Sequence, residues 1–154
     1  MLPPSSNPAA CNCLALRQAA RHVTQFYDQF LTPSGLRATQ YSILARLKRK
    51  GPMTINALAA ELVMDRTTLG RNILPLQRDG LVAVRPGKTD RRSKELRLTH
   101  SGLARFRAAL IGWTQAQARF ERAFGVRRAK ALRTLLEDVA SSDLTAAFAV
   151  SEGA

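Results

Sequence analysis

The segment spanning residues 54–98 constrains the fold more than any other part of this sequence. Two short helical patterns, residues 54–62 and 66–79, are joined by only three residues. Two short strand patterns follow at once, with a turn between them. A helix, a tight turn and a second helix form a helix-turn-helix motif, and a strand hairpin directly after it forms a wing. This order of elements predicts a mainly α, winged helix-turn-helix fold with a two-stranded β wing.

The second helix of this motif has one apolar and one polar face. Asp65 precedes it as a good N-cap, as Thr54 does for the first helix. Its apolar residues recur at helical spacing at Leu69, Ile73 and Leu76. The side chains left facing outward are Arg66, Thr67, Thr68, Arg71 and Asn72. An outward face of hydrogen-bonding and basic groups favours contact with DNA bases and phosphates.

The predicted wing is strongly basic. Residues 81–85 and 93–98 have strand patterns, and residues 86–90 have a turn composition. Six basic and two acidic residues lie between Arg85 and Arg97. The whole chain has a formal net charge of +13 and a sequence pI near 11.3, so nucleic acid or an anionic membrane surface is the expected partner.

Long amphipathic helices flank the motif. The first begins at Asn7-Pro8 or near Asn12 and ends before Gly35, a second covers residues 36–50, and Thr99 caps a third with a heptad-like apolar stripe. The sequence therefore predicts a flexible tail at residues 1–10, a helical dimerisation lobe at residues 11–35 and 100–154, and a DNA-binding lobe at residues 36–99.

Several other classes of protein are disfavoured. No phosphate-binding loop, zinc-protease motif or hydrolase nucleophile motif is present, so no enzyme activity and no cofactor are predicted. No apolar run approaches the roughly 20 residues that span a bilayer, and no secretory signal is recognisable, so a cytoplasmic protein without a membrane partner is expected.

The wing and the second helix of the motif resemble a known family. The segment Asp90-Arg91-Arg92 through Leu98-Thr99, followed by Ser101-Gly102, resembles the D-x-R…L-T…G signature of the multiple-antibiotic-resistance regulator (MarR) family. Residues 65–72 and 76–82 are similar to that family's recognition helix and its exit. The resemblance implies a homodimer that represses, or less often activates, genes by binding a pseudo-palindromic operator in double-stranded DNA. It also implies release by a small-molecule effector or an oxidant.

Roles for the candidate DNA-binding residues follow from helix and wing geometry. Arg71 and Asn72 are predicted to contact bases, and Arg66, Thr67 and Thr68 to contact bases or phosphates. Arg92 matches the family's motif arginine and is expected in the minor groove, with Asp90 orienting it through a salt bridge. The expected phosphate contacts of the wing are Lys88, Arg91 and Lys94.

Two further sets of residues are candidates for signal sensing. Cys11 and Cys13 form a candidate redox pair: Cys13 lies near a helix N-terminus with Arg17 one turn further on, which favours its thiol reactivity, although small packing residues would look the same. Too few other ligands exist for a metal site, so none is predicted. Arg17, Arg21 and His22 could bind an anionic, aromatic ligand, or could simply be exposed or ion-paired.

A non-specific architectural DNA-binding or RNA-binding protein remains the alternative to an operator-specific regulator, because it would be equally basic.

Overall fold

A helical segment begins at each of the two starting points predicted for the first helix: a 3₁₀ turn at Pro8 and an α-helix at Asn12. Asn7 caps a 3₁₀ turn, Pro8–Ala10, by accepting a hydrogen bond from the Ala9 N–H at 3.0 Å. Helix α1, Asn12–Leu31, then begins with Cys11 as its N-cap. This computed structural model describes residues 7–144 and residue 146. Parts of the predicted tail (1–10) and of the predicted dimerisation segment (100–154) therefore lie outside the described residues.

Helix α2, Ala38–Lys50, forms the centre of the core. Its start is fixed by Asp28 of α1, whose Oδ1 accepts the Ala38 N–H at 2.7 Å. The chain reverses before α2 at Gly35, which has a φ of 74°. The inner face of α2 is buried at Ile43, Leu44 and Leu47.

The helix-turn-helix consists of α3, Ile55–Glu61, and α4, Arg66–Arg78. Thr54 and Asp65 cap them as predicted, each accepting a hydrogen bond from a backbone N–H three residues on. In the connection between them, Val63 has a φ of 51°, which is unfavourable for a β-branched residue. The sequence pattern did not indicate this strained position.

The wing is part of a three-stranded antiparallel sheet rather than an isolated hairpin. Strands β2, Val82–Pro86, and β3, Lys94–Leu98, pair along their whole length. Strand β1, Met53–Thr54, pairs with the other edge of β3, so the order is β1-β3-β2. A two-residue strand has no detectable periodicity, which explains why the sequence predicted only two strands. The winged helix-turn-helix fold itself is confirmed.

Hydrogen bonds of Thr99 join the base of the wing to helix α5, His100–Phe124. The Thr99 hydroxyl donates to the Gly80 carbonyl at 2.6 Å and accepts the Gly102 N–H at 2.9 Å. Gly102 lies so close to β2 that a Cβ atom there would be 2.0 Å from the Leu81 carbonyl oxygen. Only glycine therefore permits this approach of α5 to the wing.

The described residues form two compact units, one ending at Ala116 and the other starting at Gln117. The first unit contains the apolar core, in which Leu31, Leu58 and Leu96 are fully buried. The second unit contains helix α6, Val126–Ser141, after a break at Gly125. Within it, the Arg133 guanidinium pairs with Glu121 at 3.1 Å.

Candidate nucleic-acid interface

Helix α4 presents a polar face at its N-terminal turns. Leu69, Ile73 and Leu76 are at most 2% exposed and fix the rotation of the helix against the core. The side chains thereby turned to solvent in its first two turns are Arg66, Thr67, Thr68 and Arg71. In residues 7–144 neither Arg66 nor Arg71 has an ion-pair partner, so both guanidinium groups are available to an anionic partner.

Thr68 and Asn72 are already engaged within the helix. Asp65 accepts the Thr68 N–H at 2.8 Å and the Thr68 hydroxyl at 2.6 Å. These hydrogen bonds lower the pKa of the Asp65 carboxyl, and the bond from the Thr68 hydroxyl has the larger effect. The Asn72 amide donates to the Thr68 carbonyl at 2.9 Å, and Asn72 is only partly exposed. Asn72 therefore lies along the helix instead of projecting fully outward as predicted.

The wing turn is held by a local network around Asp90. Its carbonyl accepts both the N–H (3.1 Å) and the hydroxyl (2.7 Å) of Ser93, and the Gly87 N–H donates to the Ser93 carbonyl at 2.9 Å. A Cβ atom on Gly87 would lie 2.6 Å from the Asp90 carbonyl oxygen and 2.3 Å from the Ser93 hydroxyl, so the backbone of the turn favours glycine here.

Asp90 orients Arg92 in a different way from the one expected. Its carboxylate accepts the backbone N–H of Arg92 at 2.9 Å. No ion pair joins the two side chains in the part of the chain described by the structure, so the expected salt bridge is replaced by an anchor on the main chain. The Arg92 guanidinium is left exposed to solvent.

A groove of about 660 Å³ brings the recognition helix and the wing together. Arg66 of α4 lines one side, and Arg92 and Lys94 of the wing line the other. Asn56 of α3 and Gln77 of α4 also line it. Lys88 and Arg91 lie apart from this groove, at a recess on the wing tip. Asn56 and Gln77 were missed by sequence reasoning because only the fold places them beside the basic residues.

The residues predicted to bind a small ligand lie elsewhere. Arg17, Arg21 and His22 are all exposed on α1, and none of them lines a cavity among those found in the described residues. A cavity of about 480 Å³ opens instead between α1, α2 and α5. Its lining includes three aromatic and two basic side chains, Tyr27, Tyr41, Trp113, Arg46 and Arg49.

Aromatic stacking shapes this cavity. Tyr41 stacks on Trp113 with ring centroids 6.0 Å apart and on Phe106 with centroids 5.4 Å apart. Burial raises the pKa of Tyr41, which favours its neutral hydroxyl. The cavity therefore combines flat apolar surfaces with guanidinium groups at one side.

Both cysteines are exposed and unpaired with each other. The Cys11 sulfur accepts the Leu14 N–H at 3.4 Å and thereby caps α1. Cys13 lies in the first turn of the helix. Among the residues described, no three His, Cys, Asp or Glu side chains cluster in a way that could hold a metal ion. None of the helices searched there is both long and apolar enough to cross a membrane.

Comparison with known proteins gives a consistent set of relatives. A family model described as the MarR family matches residues 36–94. The uncharacterized HTH-type transcriptional regulator YwoH of Bacillus subtilis is 34% identical over 84 residues, which cover 54% of this chain and 61% of YwoH. The match thus spans less than two thirds of that relative.

Solved structures match over much more of the chain. The transcriptional regulator MosR of M. tuberculosis in complex with DNA is 38% identical, covering 86% of this chain and 99% of that one, with a TM-score of 0.70. BpsR of Bordetella bronchiseptica, whose DNA binding is regulated by 6-hydroxynicotinic acid, has a TM-score of 0.79 at 22% identity, covering 90% and 99% of the two chains. The second likeness concerns the fold alone.

Proposed function

The chain belongs to the MarR family of transcriptional regulators, and on that premise we propose that it is a homodimeric repressor of a pseudo-palindromic operator. The observation that carries the proposal is the exposed face of α4, where Arg66, Thr67 and Arg71 project from the first two turns. A recognition helix places these turns in the major groove, where side chains read base edges. Arg71 has the reach and the donors for a base contact, as does Asn72 once its amide leaves the Thr68 carbonyl.

The wing supplies the second half of the proposed interface. Arg92 enters the neighbouring minor groove, whose negative potential favours a guanidinium. Lys88, Arg91 and Lys94 contact phosphates, while Asp90 holds the turn that carries them. The 38% identical MosR was solved in complex with DNA, which supports DNA binding by this chain.

The homodimer is supported by exposed apolar residues in the flanking helices. In α1, Leu14 and Leu16 are 49% and 40% exposed. In α6, Val126 and Leu135 are 65% and 63% exposed. Apolar groups left open on amphipathic helices are typical of surfaces that another subunit covers. Light scattering coupled to size exclusion should give twice the monomer mass, and a monomer would contradict the proposal.

The cavity between α1, α2 and α5 is the proposed effector site. Its volume of about 480 Å³ suits a small molecule, and its aromatic walls suit a planar ring. Arg46 and Arg49 add positive charge, so an aromatic carboxylate is the favoured ligand class. This site replaces Arg17, Arg21 and His22, which lie outside the cavity, as the proposed place of binding.

The decisive experiment compares two duplexes by fluorescence anisotropy in about 0.15 M salt. One duplex comes from the region upstream of the gene, and the other is its scrambled counterpart. A sequence-specific regulator should bind the first at least about 10³-fold more tightly. Equal and steeply salt-dependent binding to both duplexes would instead indicate the architectural alternative.

Thiol-based sensing is a second candidate, favoured by the cap that the Cys11 sulfur provides to α1. Oxidation of Cys11 would remove this acceptor, and Cys13 lies only two residues further along, in the first turn of α1, so it can be oxidised with it. Peroxide treatment should weaken operator binding in the wild-type protein but not in the Cys11→Ser, Cys13→Ser double variant. Equal sensitivity of both proteins would exclude this mechanism.

A further inference from the structure

The carboxylate of Glu61 on α3 is shared by two basic residues of α2. Lys50 makes a close hydrogen bond to Oε1, while the Arg46 guanidinium lies 3.9 Å from Oε2. The hydrogen bond from Lys50 and the nearby positive charges lower the pKa of Glu61, which favours its ionised carboxylate. Lys50 is thus the strong partner of Glu61, and Arg46 is the distant one.

Arg46 also lines the cavity proposed as the effector site, whereas Lys50 does not. The residue after Glu61, Leu62, lines the same cavity. The strained Val63 follows, and then Asp65, which caps the recognition helix. The cavity therefore borders the connection between the two helices of the DNA-binding motif.

We infer that Arg46 selects a carboxylate over a neutral ligand in this cavity and releases Glu61 of α3 when it binds that carboxylate. The inference rests on the proposed function, because it assigns the specificity and the regulatory contact of the same site. The two carboxylates compete, because a ligand carboxylate in the cavity and Glu61 attract the same guanidinium, and turning that group toward the ligand lengthens a contact that is already 3.9 Å long.

The arrangement makes this exchange easy. Since Lys50 remains bonded to Glu61, loss of Arg46 does not leave an unpaired carboxylate. The Arg46 side chain is 34% exposed and lies at the limit of ion-pair distance, where such pairs contribute little. A ligand carboxylate in the cavity can offer a planar, two-point contact, which a guanidinium binds more strongly. Release of Arg46 therefore removes one of the two ion pairs that Glu61 of α3 makes with α2.

Benzoate and benzamide are suitable probes because they have nearly the same shape but differ in charge. Calorimetric titration of both into the full-length protein measures the selectivity directly. The wild type should prefer benzoate, and Arg46→Gln should lose about tenfold or more in benzoate affinity with benzamide unchanged. Arg49→Gln, which also removes a cavity arginine but has no ion pair with Glu61, should lose less and is the matched control.

Glu61→Gln removes the competitor and should raise benzoate affinity by about two- to fivefold, as expected for an exposed ion pair. Benzoate should also speed amide hydrogen exchange in α3 of the wild type, but not in Glu61→Gln. Circular dichroism of each variant checks that its helical content is retained. Weaker or unchanged benzoate binding by Glu61→Gln would overturn the competition.

The outcomes separate this inference from the proposed function. Ser42→Leu should block both probes, because Ser42 is an exposed residue of α2 that lines the cavity. If Ser42→Leu blocks binding but Arg46→Gln leaves the benzoate preference intact, the cavity is an effector site and the role of Arg46 is wrong. If the wild type binds neither probe, the proposed effector site fails and the inference fails with it.

Discussion

Replacement of Gly102 by alanine tests whether the close approach of α5 to the wing limits stability. The added Cβ would lie 2.0 Å from the Leu81 carbonyl oxygen and 2.8 Å from Leu98 Cδ1, whereas real Cβ contacts are essentially never shorter than 3.0 Å. The chain must therefore shift by about an ångström. The obstacle is backbone, and the same carbonyl accepts the Thr99 N–H at 3.1 Å, so the shift also strains that hydrogen bond.

Overpacking of this kind costs about 1–3 kcal/mol, and an obstacle made of backbone places Gly102→Ala near the upper end. A loss of about 3 kcal/mol lowers the melting temperature of a chain this size by roughly 10 °C. Gly70→Ala is the matched control, because nothing lies within 4 Å of its added Cβ. It lies inside α4, where alanine should stabilise the protein by about 0.5–1 kcal/mol.

Urea unfolding followed by far-UV circular dichroism measures both variants without DNA. The protein concentration is kept constant, because subunit association contributes to apparent stability. The two substitutions should change the free energy of unfolding in opposite directions. A Gly102→Ala protein as stable as the wild type would refute the steric reasoning, and so would a similar loss in both variants.

Four further predictions concern the DNA-binding face. Asp65→Ala should lower the urea midpoint, whereas Asp65→Asn should retain the cap. Hydrogen bonds from Thr68 lower the pKa of Asp65, so the stability that its carboxylate contributes is complete above about pH 4 and is lost as pH falls through the lower pKa of the folded state. Urea midpoints at neutral and acidic pH measure this loss. Arg92→Ala should weaken binding to all duplexes and reduce the salt slope by about one, measured by anisotropy at several salt concentrations. Arg71→Ala should cost about 1–3 kcal/mol on the operator and little on scrambled DNA, and Asn72→Ala should alter base preference at one half-site position; equal losses on every sequence would contradict both.

Local signals in the sequence were sufficient for most of the DNA-binding lobe. The N-caps at Thr54, Asp65 and Thr99 depend on a side chain and a backbone N–H three residues away, so they could be predicted from neighbouring residues. The buried face of α4 followed from helical spacing in the same way. Strands β2 and β3 were placed within a residue of their observed ends because each has a long enough pattern to detect.

Features that depend on distant residues could not be predicted. Strand β1 exists only because β3 pairs with it, about 40 residues further along the chain. The cavity collects residues from α1, α2, α5 and the end of α3, so no local pattern pointed to Arg46, and Arg17, Arg21 and His22 were chosen from helix α1 alone. One local contact was missed as well: the Asp90 carboxylate accepts the Arg92 N–H two residues along the chain, a turn geometry typical of Asp, whereas the prediction was a salt bridge to the Arg92 side chain.

The position of Trp113 has a practical consequence for spectroscopy. It is the single tryptophan of the 154 residues, it lines the cavity, and it stacks on Tyr41. Fluorescence excited at wavelengths too long for tyrosine to absorb therefore arises only from the Trp113 indole in the cavity wall. A compound that enters the cavity changes the polarity around that indole, so a shift or quenching of the unlabelled protein's emission reports occupancy directly. A library of aromatic acids can accordingly be ranked before any operator is known.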